Sequence, residues 1–84
     1  MFLAKIHVTL KPGVLDPQGS AVEKALHALE YNNVRDVRIG KYMEVRLEGA
    51  DRVRVEEEVH EMCRRLLSNP VIENYEFQLV EVAS

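Results

Sequence analysis

Cysteine occurs once in this chain, positive charge is not in excess, and no apolar run is long enough to cross a bilayer. Each shortage removes a class of function. A lone Cys63 cannot form an internal disulfide, which excludes a disulfide-stapled secreted scaffold. Eleven basic side chains against fourteen acidic ones, for a formal net charge of −3, argue against nucleic-acid binding dominated by phosphate contacts. Lys5 and His7 interrupt the amino-terminal apolar stretch, so neither a signal peptide nor a transmembrane helix is expected and a cytoplasmic address follows. The 84 residues leave no room for a second core, and a single domain is expected over residues 1–84. A chain this short buries only about 60–65% of its unfolded surface, so its stability should lean on self-association or on a partner.

What is present is a clear alternation of periods. Phe2, Ala4, Ile6, Val8 and Leu10 alternate with Leu3, Lys5, His7, Thr9 and Lys11, the period of a half-buried strand. Val22, Ala25, Leu26 and Leu29 recur at helical spacing in a helix that starts near Pro17 to Ser20 and ends at Asn32-Asn33. A second strand is predicted from Val34 to Ile39 and a third from Tyr42 to Glu48, with Met43, Val45 and Leu47 facing inward. Parity then requires a three-residue turn, Gly40-Lys41-Tyr42, if Ile39 and Met43 are to lie opposite each other on the buried face. Asp51 serves as N-cap of a second helix whose apolar stripe is Val55, Val59, Met62, Cys63 and Leu66. Ser68-Asn69-Pro70 stops it, and a last strand runs from about Glu73 to Val82.

The order β-α-β-β-α-β predicts an α+β fold, the ferredoxin-like sandwich: a four-stranded antiparallel sheet with two helices on one face. The other face would carry Leu3, Lys5, His7, Thr9, Tyr42, Glu44, Arg46, Asn74, Glu76, Gln78, Val80 and Val82. This mixture of apolar, aromatic and charged groups reads, together with the sheet edges, as a surface for self-association rather than a merely solvated face.

Chemical groups do not assemble into a site. His60 and Cys63 lie one helical turn apart, but no Cys-x-x-Cys or second pair completes a metal set, and Cys63 falls in the apolar stripe, where a core thiol is the better account. Ser20, Ser68 and Cys63 lack a base with an orienting partner, and Glu56, Glu57, Glu58 and Glu61 point around a helix rather than converge. Gly13 and Gly19 precede a helix, yet their spacing fits neither phosphate fingerprint and Asp16 would oppose an anion. An RNA platform would need aromatic residues on the inner strands of the open face, where His7, Thr9, Glu44 and Arg46 stand instead.

The stretch that stands out is Lys11-Pro12-Gly13-Val14-Leu15-Asp16-Pro17-Gln18-Gly19, with two prolines that fix the backbone, two glycines that free it, and apolar Val14 and Leu15 where a loop is normally polar. A loop so stiffened loses little entropy on docking. It is expected to hold a partner or to fold over the first helix, and with Arg38, Gly40 and Lys41 it forms the candidate partner-binding set.

Three stretches carry a family resemblance: VTLKPGVLDPQGSAVEKAL from Val8 to Leu26, VRIGKYMEV from Val37 to Val45, and NPVIENYEF from Asn69 to Phe77. Through them the chain resembles, over essentially its whole length, the PurS family, small subunits of the bacterial and archaeal phosphoribosylformylglycinamidine synthase of purine biosynthesis. The resemblance implies a subunit with no catalytic residues and no cofactor of its own, working with a glutaminase subunit and a large synthetase subunit that use glutamine, ATP and Mg. The glutaminase releases ammonia, and the synthetase activates the formyl amide oxygen of formylglycinamide ribonucleotide so that ammonia can replace it. The small subunit would bridge the two as a homodimer or higher oligomer and support ammonia transfer. Two other classes compete: a small-ligand regulatory module of the same topology, and a stand-alone enzyme using His7, His27, His60 or Cys63.

Overall fold

The structure is a computed structural model and describes residues 1–82; Ala83 and Ser84, the end of the domain expected over 1–84, lie outside the described residues. Three strands form one antiparallel sheet in the order β2-β1-β3, with β1 Phe2–Leu10 at the centre, β2 Lys41–Leu47 at one edge and β3 Glu73–Glu81 at the other. Register follows the period of two. Ala4 lies opposite Val45 and Leu79, and Ile6 opposite Met43 and Phe77, so the apolar rows of all three strands share one face. The chain is an α+β protein, with two α-helices among the described residues, α1 Pro17–Ala28 and α2 Arg52–Met62.

Among the described residues only α2 and the turn that continues it cover the sheet. Asp51 caps it by accepting from the Val53 amide at 3.1 Å, and Val55, Val59 and Cys63 are buried against Phe2, Ala4, Ile6, Val8 and Leu79. Burying a valine of this kind contributes about 1.5–3 kcal/mol. Arg52 fastens the first turn by donating to the Leu79 carbonyl at 2.7 Å, and the His60 ring packs edge-on to Phe77 while bonded to the Tyr75 hydroxyl at 2.9 Å. After Met62 the helix widens into a π turn, Cys63–Leu67, which closes when the Ser68 amide and hydroxyl both bond the Cys63 carbonyl. The extra residue rotates the stripe: Leu66, expected in the core, is 82% exposed, and Leu67 packs on the core instead.

Two expectations require correction. The four-stranded sheet with both helices on one face is not what this chain forms by itself, because residues 34–39 are not a strand and α1 contributes nothing to the core. The backbone of that segment is used elsewhere. The Val34 carbonyl is bonded by the His27 imidazole at 2.7 Å, the Ile39 amide donates to Asp16 at 2.7 Å, and the Val37 carbonyl lies where a Cβ on Gly19 would be, 2.0 Å away. The turn Gly40-Lys41-Tyr42 is likewise absent, since Lys41 and Tyr42 are already ladder residues opposite Val8 and His7. The chain therefore runs from residue 34 to Leu47 without reversing, and α1 with its antiparallel return segment forms an arm beyond the end of the sheet. The molecule is 51 Å long, with a radius of gyration of 16.6 Å where a compact chain of this length has about 12 Å.

Candidate partner-binding site

The loop singled out in the sequence is the joint between sheet and arm. Lys11-Pro12-Gly13-Val14 forms a turn closed by the Val14 amide on the Lys11 carbonyl at 3.1 Å, with Gly13 at φ +87° in the third position, where a side chain would be strained. Lys11 also donates its amide to Ile72 at 2.8 Å, which ties the joint to the segment entering β3. Leu15 then projects into solvent, 77% exposed, rather than folding over α1.

Asp16 is buried and fully engaged. One oxygen accepts from the Gly19 amide at 2.8 Å as the N-cap of α1, and the other accepts from the Ile39 amide at 2.7 Å. These two backbone bonds, that from Ile39 first, hold its carboxyl below the usual range, assisted by the Arg38 guanidinium. Arg38 closes the clasp from the other side, donating to the carbonyls of Val14 at 3.0 Å and Lys11 at 3.2 Å. Gly40 passes so near β1 that a Cβ there would stand 2.4 Å from the Val8 carbonyl. Lys41 lies 3.7 Å from Glu73.

Residues distant in sequence thus meet around a shallow cleft of about 430 Å³, lined by Leu10, Asp16, Pro17, Gln18, Ile39, Gly40, Lys41 and Glu73. Within the candidate set the roles divide. Asp16, Gly19, Arg38 and Gly40 hold the joint together, whereas Pro12, Gly13, Leu15, Pro17 and Gln18 are exposed and offer surface; Lys11 and Val14 are half-buried, and Lys41 keeps an exposed ammonium. Sequence reasoning missed the clasp itself. Its only sequence signal was an aspartate followed by proline at a helix start, which is the N-cap pattern.

Other chemical groups lie apart. His7 is on the open face, tilted against Tyr42 at 4.7 Å, and the Tyr42 hydroxyl donates to Glu44 at 2.9 Å, which raises its pKa. His27 is on the arm, and His60, on α2 and exposed, lies edge-on to Tyr75 and Phe77 of β3. Burial pushes the Cys63 thiol up, the behaviour of a core residue rather than a nucleophile.

Residues 3–81 match the family model described as PurS: phosphoribosylformylglycinamidine (FGAM) synthase. The chain belongs to the PurS family. It is 54% identical over 84 residues to phosphoribosylformylglycinamidine synthase subunit PurS of Bacillus subtilis, covering 100% of this chain and 99% of that one. The solved B. subtilis PurS in its C2 crystal form superposes with a TM-score of 0.88, at 54% identity, over 96% of this chain and 100% of that one. The structure of PurLQS from Thermotoga maritima contains a chain that matches with a TM-score of 0.84, at 32% identity, over 94% of this chain and 96% of that one. An 84-residue PurS chain with its arm turned elsewhere could not superpose so well over so much of its length, so the out-turned arm is shared by these relatives.

Proposed function

We propose that this PurS chain is the non-catalytic small subunit of a phosphoribosylformylglycinamidine synthase complex, a single domain acting in the cytoplasm that bridges a glutaminase subunit and an ATP-dependent synthetase subunit. Those partners supply the glutamine, ATP and Mg chemistry that converts formylglycinamide ribonucleotide to formylglycinamidine ribonucleotide, and the small subunit, as a homodimer or higher oligomer, supports transfer of ammonia between them. The observation that carries this reading is whole-chain similarity to a chain within the PurLQS structure. In its support, the side chains with chemical potential lie apart, while the loop picked out by sequence is a braced joint with an exposed apolar tip. No helix among the described residues is long and apolar enough to cross a membrane.

The exposed members of the joint, Pro12, Gly13, Leu15, Pro17 and Gln18, are the contact residues in this proposal, and Asp16, Gly19, Arg38 and Gly40 act by shaping them; Lys11, Val14 and Lys41 flank the surface. The test mixes the purified chain with both partner subunits, glutamine and ADP, and reads mass by light scattering. A ternary species is expected. A double substitution Leu15→Ser and Gln18→Ala, which leaves the clasp untouched, should weaken capture of the synthetase and lower glutamine-dependent turnover. Unchanged capture and turnover would remove the loop from the interface, and absence of any ternary species would remove the function.

A further inference from the structure

The turn that ends α2 gives a leucine to solvent. A regular helix would bury Leu66 in line with Val55, Val59 and Cys63, but the π turn over Cys63–Leu67 carries it out to 82% exposure, and widened turns of this kind recur at functional sites. Just beyond the Ser68-Asn69-Pro70 break, Val71 is 78% exposed and Ile72 is exposed beside it. Register places both next to the joint. Leu10 lies opposite Glu73 and Lys11 donates its amide to Ile72, while α2, fastened by its first turn to Leu79 near the far end of β3, finishes where β3 begins. Leu15, Leu66, Val71 and Ile72 therefore gather at one end of the sheet, and large apolar side chains left together in water mark an interaction surface.

The same end is positively charged in a chain whose net charge is −3. Lys11, Arg38, Lys41, Arg64 and Arg65 stand there with three carboxylates, each already engaged: Asp16 by two backbone amides, Glu61 by Arg65 at 2.9 Å, and Glu73 by the Asn69 amide at 2.7 Å and by Lys41. Lys11 and Arg64 form no ion pair among the described residues. Two arginines in the last turn also outweigh the roughly half negative charge of a helix carboxyl terminus. The surface thus sets apolar side chains beside uncommitted cations, and the segment that matches both has apolar anchors flanked by carboxylates.

We propose that Leu66, Val71 and Ile72, with Arg64, extend the joint into a docking surface for an acidic, apolar-anchored segment of the synthetase subunit. The synthetase is the occupant because the patch continues, through the bond from Lys11 to Ile72, the loop assigned to that partner above. The apolar groups form the buried centre of the contact and hold the complex, whereas the cations form its rim and steer the approach. A second copy suits this end poorly, since two such ends brought face to face would set like charges against each other.

This rests on the function proposed above, and one set of titrations separates the two. Binding of the purified full chain to purified synthetase, with glutamine and ADP present, is measured by calorimetry at low and at high salt. Wild-type affinity is expected to fall as salt rises. Leu66→Ser with Val71→Ser should weaken binding about tenfold or more, and Arg64→Glu should weaken it chiefly at low salt, while capture of the glutaminase, the assembled mass of the chain and its far-ultraviolet dichroism stay as in the wild type. A wild-type chain that binds no synthetase overturns the proposed function and this surface with it. Binding that Leu15→Ser with Gln18→Ala weakens, but that withstands Leu66→Ser with Val71→Ser, leaves the function and overturns the surface. An Arg64→Glu variant that binds as the wild type does overturns the acidic partner, and a loss of glutaminase capture or of assembled mass in place of synthetase binding overturns the occupant.

Discussion

The two halves of this PurS sheet are built from similar residues and finished very differently. Beneath α2, Ile6, Val8, Val55 and Val59 have lost essentially all contact with water. On the β2 side, Met43, Val45 and Leu47 are only partly covered, and the helix expected above them stands off the end of the sheet. Apolar periodicity alone therefore does not decide where a helix packs. The difference lies in the connections: Ser68-Asn69-Pro70 lets the chain return beside β1, with the Asn69 carbonyl accepting from Ile72 and Glu73, whereas the Lys11–Asp16 joint holds its helix away.

The comparison breaks most severely at its finished side. Replacing Ile6 with alanine should destabilise the protein by about 3 kcal/mol, because a fully buried side chain leaves a cavity between α2 and the centre of the sheet. The loss should appear in urea denaturation at every protein concentration. Leu29→Ala removes a side chain of similar size from the arm, where it is 68% exposed, and should cost far less than Ile6→Ala. Equal losses in the two variants would mean that the two halves are equally finished.

A smaller effect is expected at the joint. Asp16→Ala removes the acceptor of two backbone amides, so Gly19 and Ile39 should exchange their amide protons faster and the arm should loosen while the α2 half stays protected. Asp16→Asn, with one carbonyl oxygen, keeps one bond and should fall between. The pH dependence has a definite sign. The folded carboxyl lies below the ordinary value of 3.8, so its contribution is complete above that value and is lost as pH falls through the lower, folded-state value. Exchange at Ile39 should therefore quicken only in strong acid in the wild type, while Asp16→Ala should lack that acid step. An acid step that survives in Asp16→Ala would show that another group governs the joint.

The parts legible in the sequence were those set by local pattern. The alternation from Phe2 to Leu10 placed β1, Asp51 placed the start of α2, and the parity of Met43, Val45 and Leu47 placed the inward face of β2. Residues 34–39 escaped because their composition suits a strand, whereas the ends of the segment are bonded by side chains distant in sequence, His27 at the Val34 carbonyl and Asp16 at the Ile39 amide, and β propensity does not register such partners. The candidate loop was visible as proline, glycine and aspartate at close spacing, but its clasp depends on Arg38 and Ile39 arriving from more than twenty residues away, which no local rule encodes.

The smallest predicted effect concerns the end of α2, where regular spacing put Leu66 in the core. A regular helix would keep the stripe Val55, Val59, Cys63, Leu66 in phase, but the π turn over Cys63–Leu67 adds a residue to the loop of backbone and carries Leu66 outward, with Leu67 taking its place. Ser68 makes this possible by giving both its amide and its hydroxyl to the Cys63 carbonyl. Leu66→Ala should change stability by less than about 0.5 kcal/mol, as expected of a surface site, while Leu67→Ala should cost more. If denaturation instead ranked Leu66 as the costlier truncation, α2 would have to continue as a regular helix and the covered half of the sheet would end one turn later than described.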